Sequence, residues 1–224
     1  MSKHELEVDS VQVNFDNRAI LSDVYLKCET GDIVGILGRN GCGKSTLLKI
    51  IFGSQSTFDK NVRIDKVPYA KAFANKDLIA YLPQHDFLPA NAKVENVFKI
   101  YFPNKEKREW IFSQERVSEL LDKRVRELSG GELKYVSLYL LIHLNVKFVL
   151  INEPFSGVEP LYKEKIAALI KENRHNKGFI ITDHDYRNII STSDRIILID
   201  NGVCRPISEL KELEAYNYVP PGTF

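Results

Sequence analysis

Gly38-Arg39-Asn40-Gly41-Cys42-Gly43-Lys44-Ser45-Thr46 decides the fold. The apolar run Ile33-Val34-Gly35-Ile36-Leu37 before it reads as a buried strand, and Leu47-Leu48-Lys49-Ile50-Ile51-Phe52 after it reads as a helix. Strand, glycine-rich turn and helix, with Gly38, Gly43, Lys44 and Ser45 at these offsets, make a phosphate-binding loop. Glycines let backbone N–H groups converge on phosphate oxygens without a Cβ in the way. The helix N-terminus adds partial positive charge where the anion sits. Lys44 is placed to reach the β- and γ-phosphates, and the Ser45 hydroxyl to meet Mg²⁺. The loop therefore predicts a bound nucleoside triphosphate.

Composition narrows the class without choosing within it. The 224 residues fit one large domain or a domain with an inserted subdomain, and 44% apolar with 27% charged residues is ordinary for a globular chain. A formal net charge of +1 gives no basic stripe, so nucleic acid is not expected as a partner. No apolar run approaches the roughly 20 residues of a membrane span, and Met1 to Glu7 lacks the apolar centre of a secretory signal. Cys28, Cys42 and Cys204 are scattered and without metal-ligand spacing, which points to a reducing, cytoplasmic compartment.

Outward from the loop, Leu6 to Val13 and Ile20 to Lys27 read as strands, with turn chemistry at Phe15 to Arg18. Phe15 is then either a core or turn aromatic or a platform for a base. Val62 to Val67 and Leu78 to Leu82 are strand candidates; Pro83 ends the latter and Gln84 follows it. At that strand end the Gln84 amide is in range of Mg²⁺ or the γ-phosphate, while His85 reads as a surface residue. Val94 to Tyr101 and Glu106 to Leu121 are expected helices, Leu161 to Asn173 and Tyr186 to Ser191 two more, and Ser208 to Leu213 the last. Arg195 to Ile199 reads as a strand, Asn201-Gly202 as a hairpin turn and Pro220-Pro221-Gly222 as an exposed tail. Inside the phosphate loop, Cys42 is either a small filler or a thiol whose pKa the helix N-terminus lowers.

Leu128-Ser129-Gly130-Gly131-Glu132 precedes another apolar helix. Ser129 and Glu132 make a capping box. The paired glycines weaken a first helical turn by up to about 1 kcal/mol each relative to alanine. They make sense if a ligand, most simply an anion, must approach the exposed N–H groups.

With these residues the chain resembles the nucleotide-binding subunit of the ATP-binding cassette (ABC) family over nearly its whole length. Leu128 to Glu132 looks like the family signature. Lys147 to Ile151 followed by Asn152-Glu153-Pro154 resembles the Walker B strand and its catalytic glutamate. Ser156-Gly157-Val158-Glu159 resembles the D-loop, and Gly178 to His184 a strand ending in the switch histidine. Gln84 falls at the Q-loop position and Phe15 at the adenine-stacking position. The resemblance implies an α/β fold: a P-loop NTPase core with a mixed sheet, flanking helices and an N-terminal antiparallel β subdomain, plus an inserted α-helical subdomain. The core would comprise 1–83 and 146–224, and the insertion 84–145.

It also implies ATP and Mg²⁺ as ligands and a head-to-tail pair of cassettes. The loop residues Gly38, Arg39, Asn40, Gly41, Cys42, Gly43, Lys44, Ser45 and Thr46 would hold ATP from one copy. Ser129, Gly130, Gly131 and Glu132 would complete the site in the other. Glu153 would act as general base, His184 and Gln84 would contact the γ-phosphate side, and Ser45, Gln84 and Asn152 would lie about the metal. The expected partners are a second ABC subunit and a transmembrane permease on a separate chain, with exposed Phe87, Leu88 and Pro89 near the docking groove. The protein would then sit on the inner face of the cell membrane. A soluble ABC ATPase without transport, or a slowly hydrolysing nucleotide-gated clamp, are the other readings.

Two positions depart from the family pattern. Asn152 stands where an aspartate is usual, which predicts weaker Mg²⁺ affinity, and Glu159 replaces the D-loop aspartate.

Overall fold

The computed structural model describes residues 3–15 and 18–224, the side chains of Phe15 and Arg18 excepted. Its centre is a six-stranded sheet whose two faces are both covered. The first of its strands in the chain is β4 (Ile33–Gly38), and every residue of it is buried. Along β4 the side chains alternate between two hydrophobic clusters. Ile33 and Leu37 join one, Val34 and Ile36 the other. β8 (Phe148–Asn152) repeats the alternation, with Val149 and Ile151 on the first side and Phe148 and Leu150 on the second. So does β9 (Gly178–Thr182), with Phe179 and Ile181 against Ile180. Such continuous apolar runs mark parallel strands buried on both faces.

The strand order is β11–β10–β4–β9–β8–β7, with β7 at Ile79–Leu82, β10 at Arg195–Asp200 and β11 at Val203–Ile207. All neighbours are parallel except the β10–β11 hairpin. Asn201 (φ 48°) and Gly202 (φ 81°) make its turn, the positive-φ pair that a two-residue hairpin requires.

A second, antiparallel sheet is built around β1 (Glu5–Phe15), which pairs with β2 (Arg18–Leu21), β3 (Tyr25–Glu29) and β5 (Asp59–Ile64), while β6 (Val67–Pro68) pairs with β5. It shares its apolar cluster with one face of the central sheet and with α1 (Lys44–Phe52). The other face is covered by α5 (Gly130–His143), α6 (Pro160–Glu172) and α7 (Tyr186–Thr192). Gly35 makes the last contact possible: a Cβ there would lie 2.4 Å from Ile189 Cγ2 and 2.5 Å from Ser193 Oγ. Four helices, α2 (Val94–Tyr101), α3 (Lys105–Phe112), α4 (Glu115–Ser118) and α5, are inserted between the adjacent strands β7 and β8. The mixed sheet, antiparallel sheet and helical insertion agree with the expected fold class.

Several elements differ in extent from the sequence reading. The strand expected over Ile20 to Lys27 is two, β2 and β3, separated at Ser22–Val24. The helix expected over Glu106 to Leu121 is broken into α3 and α4 at Ser113-Gln114, where the Ser113 hydroxyl and the Gln114 amide both donate to the Trp110 carbonyl. Such local side-chain bonds compete with helix continuation. Phe15 ends β1, opposite Arg18, rather than lying on a turn. Its side chain, and the turn residues Asp16 and Asn17, lie outside the described residues. The last helix is a single turn, α8 (Glu212–Ala215); Val219 after it is buried, and Pro220, Pro221 and Gly222 are exposed as expected.

Candidate nucleotide site

The parallel strands β4, β7, β8 and β9 deliver their C-terminal ends to one edge of the sheet. Open α/β sheets bind ligands outside such an edge. The loop after β4 turns with φ 156° at Gly38, 79° at Gly41 and 103° at Gly43, and then enters α1. Gly43 is the N-cap residue and has no side chain to satisfy the first N–H groups of α1, which leaves them for an anion. A Cβ on Gly43 would also fall within 2.9 Å of Ile20.

A cleft of about 280 Å³ is lined by Asn40, Gly41, Gly43, Lys44, Ser45, Thr46, Gln84, Glu153 and His184, with Ile20 at its side. Lys44 is buried and its Nζ donates to Gly38 O at 2.5 Å and Arg39 O at 3.3 Å. The loop carbonyls thus hold the ammonium in place.

Asn152 ends β8 directly behind Ser45 and is 1% exposed. Its Oδ1 accepts from Ser45 Oγ at 3.1 Å and from Thr182 Oγ1 at 2.9 Å. An amide oxygen has two lone pairs, and both are in use. Asn152 therefore orients the Ser45 hydroxyl and leaves the serine's own lone pairs facing outward. No group of three or more His, Cys, Asp or Glu placed to hold a metal occurs among the described residues. A hydroxyl backed by an amide, without a carboxylate cage, fits a Mg²⁺ that arrives on phosphates and keeps much of its water.

Glu153 follows at φ 54°, in the left-handed region that a non-glycine residue adopts at a cost. Its N–H donates to Thr182 O at 2.8 Å, which fixes the turn. Glu153 is 4% exposed, and each carboxylate oxygen has a hydrogen-bond partner. Gln84 Nε2 donates to Oε2 at 2.9 Å, and His184 Nε2 donates to Oε1 at 2.7 Å. Gln84 and His184 themselves are exposed at the cleft.

Sequence reading passed over two residues beside this cluster. Thr182 is the second anchor of Asn152. Asp183, 1% exposed, accepts from Phe155 N at 2.8 Å and from Asp185 N at 3.1 Å, so one carboxylate ties the loop after Glu153 to the loop carrying His184. Burial pushes the Asp183 carboxyl up, against the backbone N–H groups that hold it down. The signal was present: two polar residues closing the buried run Gly178 to Ile181 need partners.

Gly38, Arg39 and Cys42 stand on the loop away from the cleft lining. Arg39 donates to Asn217 O at 2.7 Å. The Cys42 thiol is not activated: burial raises its pKa more than Lys44 and the nearby N–H groups lower it. Its sulfur packs over Gly38, where a Cβ would come within 2.5 Å of it. The filler reading of Cys42 stands, and the lowered pKa is corrected.

The Ser129–Glu132 corner is not part of the cleft lining. Its capping box is formed, with Ser129 N donating to Glu132 Oε2 at 2.7 Å and Glu132 N to Ser129 Oγ at 3.2 Å. The Lys123 ammonium, 2.8 Å away, holds the Glu132 carboxyl below its usual range. The two glycines have different reasons. A Cβ on Gly131 would come 2.8 to 3.1 Å from the Tyr162 side chain, so it serves packing of α5 on α6. Gly130 is exposed, and a Cβ there would meet nothing nearer than 4.0 Å, so its bare backbone is free for something outside the chain. Of Phe87, Leu88 and Pro89, expected to be exposed, only Pro89 is; Phe87 is half-buried and Leu88 packs into the core, while His85 is exposed as expected. Among the described residues no helix is long and apolar enough to cross a membrane.

A family model described as "ABC transporter" matches residues 21–156. The zinc import ATP-binding protein ZnuC of Ehrlichia chaffeensis is 29% identical over 213 residues, covering 91% of this chain and 83% of that protein. The lipopolysaccharide export system ATP-binding protein LptB of Haemophilus influenzae is 28% identical over 220 residues, covering 88% and 87%. The crystal structure of a nucleotide-free ATP-binding cassette from an ABC transporter superposes with a TM-score of 0.81 at 23% identity, over 97% of this chain and 96% of that one. That likeness carries the fold, a P-loop NTPase core.

Proposed function

The chain belongs to the ABC transporter family, matched over residues 21–156, and on that premise we propose that it binds and hydrolyses ATP to drive a transporter whose membrane-spanning part is a separate chain. The observation that carries this reading is the convergence of Lys44, Ser45, Gln84, Glu153 and His184 on one cleft at the phosphate loop.

In this reading the N–H groups of Asn40 to Thr46 cradle the phosphates and Lys44 neutralises the β- and γ-phosphate charge, most strongly as it develops during transfer. Mg²⁺ bound with ATP would supply charge neutralisation at the phosphates. Ser45, oriented by Asn152, and the Gln84 amide are the groups that would hold it. Glu153 accepts the proton of the attacking water as general base. His184 positions the γ-phosphate end, and Phe15 stacks on the base.

Ser129, Gly130, Gly131 and Glu132 take no part in their own chain's cleft. They complete the site of a second subunit placed head to tail, where exposed Gly130 admits a phosphate to the helix N-terminus. We keep 1–83 with 146–224 as the core and 84–145 as the insertion that transmits this closure to the permease. The protein is then peripheral on the inner face of the cell membrane through that permease. The relatives named for zinc import and for lipopolysaccharide export fit a cassette that is indifferent to cargo.

The lost charge at Asn152 favours a slower cycle than an aspartate would give, so a nucleotide-gated clamp is the second reading. Phosphate release from ATP by the purified protein with Mg²⁺, against Lys44→Ala and Glu153→Gln, tests the proposal. Wild type should turn over, Lys44→Ala should not bind ATP, and Glu153→Gln with ATP should accumulate as a dimer on a sizing column. Wild-type turnover equal to that of Glu153→Gln would remove the hydrolytic reading and leave the clamp.

A further inference from the structure

We propose that Asp183 is a positioning residue for hydrolysis, its buried carboxylate holding the strained turn at Glu153 and the His184 loop in one fixed relation. This rests on the reading that Glu153 is the base for a water attacking bound ATP.

The β8–β9 ladder ends at the pair Asn152 and Thr182. One more backbone bond follows, from Glu153 N to Thr182 O at 2.8 Å. There the two chains part, and Glu153 takes φ 54°. A non-glycine residue stays in that region only where its surroundings over-determine it. On the N-terminal side the Thr182 carbonyl supplies the restraint. On the C-terminal side Asp183 supplies it. Past Pro154, whose ring fixes its own φ, the Phe155 N–H donates to Asp183 Oδ2 at 2.8 Å. Phe155 is 1% exposed and packed in the core, so the far end of the turn is anchored as well. A side chain thus prolongs the ladder across the gap that the strained residue opens.

The same carboxylate acts on the second loop. Its Oδ1 accepts from Asp185 N at 3.1 Å. Asp185 is the N-cap of α7, and its own carboxylate accepts from Arg187 N at 3.2 Å and Asn188 Nδ2 at 3.0 Å. His184 is therefore bracketed between the Asp183 tie and a capped helix. In front of these ties His184 Nε2 meets Glu153 Oε1 at 2.7 Å.

The residue type fits the task. Asp183 is 1% exposed, and burying a charge is costly. Two N–H donors on two loops need two acceptor oxygens on one planar group. A carboxylate has both, whereas an amide has one.

Asp183→Asn keeps the size, leaves one acceptor and turns an NH₂ toward the other N–H. With one tie lost, relaxation of the left-handed turn should leave the productive geometry about a tenth as populated, so kcat should fall about tenfold. The phosphate loop makes none of these bonds, so the Kd for ATP without Mg²⁺ should stay within about twofold of wild type. The decisive readout is coupling. In a Glu153→Gln background no base is left to position, so the same substitution should leave the residual rate per folded molecule unchanged. A role confined to stability would lower the melting temperature and cut the rate by one factor in both backgrounds. Asp183→Ser, which leaves room for a water on both N–H groups, gives the same comparison where Asp183→Asn does not fold. A variant that folds and keeps the wild-type kcat, or that loses the same factor with and without Glu153, overturns the proposal. Wild type that binds ATP but turns over no faster than Glu153→Gln overturns instead the hydrolytic reading on which the proposal rests.

Discussion

Asn152→Asp places a carboxylate where the protein keeps a neutral amide, and the structure fixes what that does. The side chain is 1% exposed, and its oxygen accepts the Ser45 and Thr182 hydroxyls. Both hydroxyls can still donate to an aspartate, so the local bonds survive. The added charge is the difference. It lies next to Glu153 in sequence and close to Asp183, which are 4% and 1% exposed. Without metal, a third carboxylate in this dry corner should cost about 1–3 kcal/mol, the scale of a buried polar group left short of a partner. For a chain of this size that is a drop of about 3–10 °C in melting temperature. Mg²⁺ with nucleotide reverses the sign, because the charge then faces a cation. Apparent Mg²⁺ affinity should rise about tenfold, equivalent to 1.4 kcal/mol. Paired melts in chelator and in Mg²⁺ with ATP give the first quantity. The ATPase rate across Mg²⁺ concentrations gives the second. A variant as stable as wild type in chelator, with no gain at limiting Mg²⁺, would refute the reasoning.

Three further outcomes follow from particular contacts. Gly131→Ala should destabilise by about 1–3 kcal/mol, because its Cβ is driven into Tyr162, whereas Gly130→Ala should melt like wild type yet form less ATP-dependent dimer on a sizing column. Lys177 is buried against the Leu144 and Val146 carbonyls, and burial, with a smaller contribution from Lys107, depresses its pKa from 10.5 to about 8. Between those values the unfolded chain holds a proton that the folded chain has released, so stability should rise with pH from about 8 to 10.5, and chemical denaturation of Lys177→Met should show a flatter curve there. The Cys28 and Cys42 thiols are pushed up by burial, and Cys204 is pushed up to about 12, so a thiol-reactive dye at neutral pH should label the folded protein slowly and the denatured protein at once.

The parts of the fold that the sequence made legible are those where local chemistry and burial agree. β4, β8 and β9 are uninterrupted apolar runs because both faces of the central sheet are covered, and their boundaries were readable to within a residue or two. The loop into α1 was readable because glycine is the residue that adopts the positive φ at Gly41 and Gly43 without strain. What sequence alone missed depends on contacts across the chain. The break after α3 comes from Ser113 and Gln114 bonding to Trp110. The pairing at Gly130-Gly131 looked like one signal and is two, since only Gly131 faces Tyr162. The thiol of Cys42 seemed poised by a helix terminus, but its surroundings, not its sequence position, set its proton affinity. That Asp183 needs a partner was legible, but not which one: Phe155 lies 28 residues away.

The doubly engaged Glu153 has a consequence for idling. With one oxygen held by Gln84 and the other by His184, two of the carboxylate's four acceptor sites are engaged and its orientation is fixed. On the proposed assignment, the base is safety-catched by the very residues that serve the incoming triphosphate. An incoming triphosphate that draws either of them toward itself frees acceptor sites on the base for water, so how readily that grip loosens should tune the basal rate.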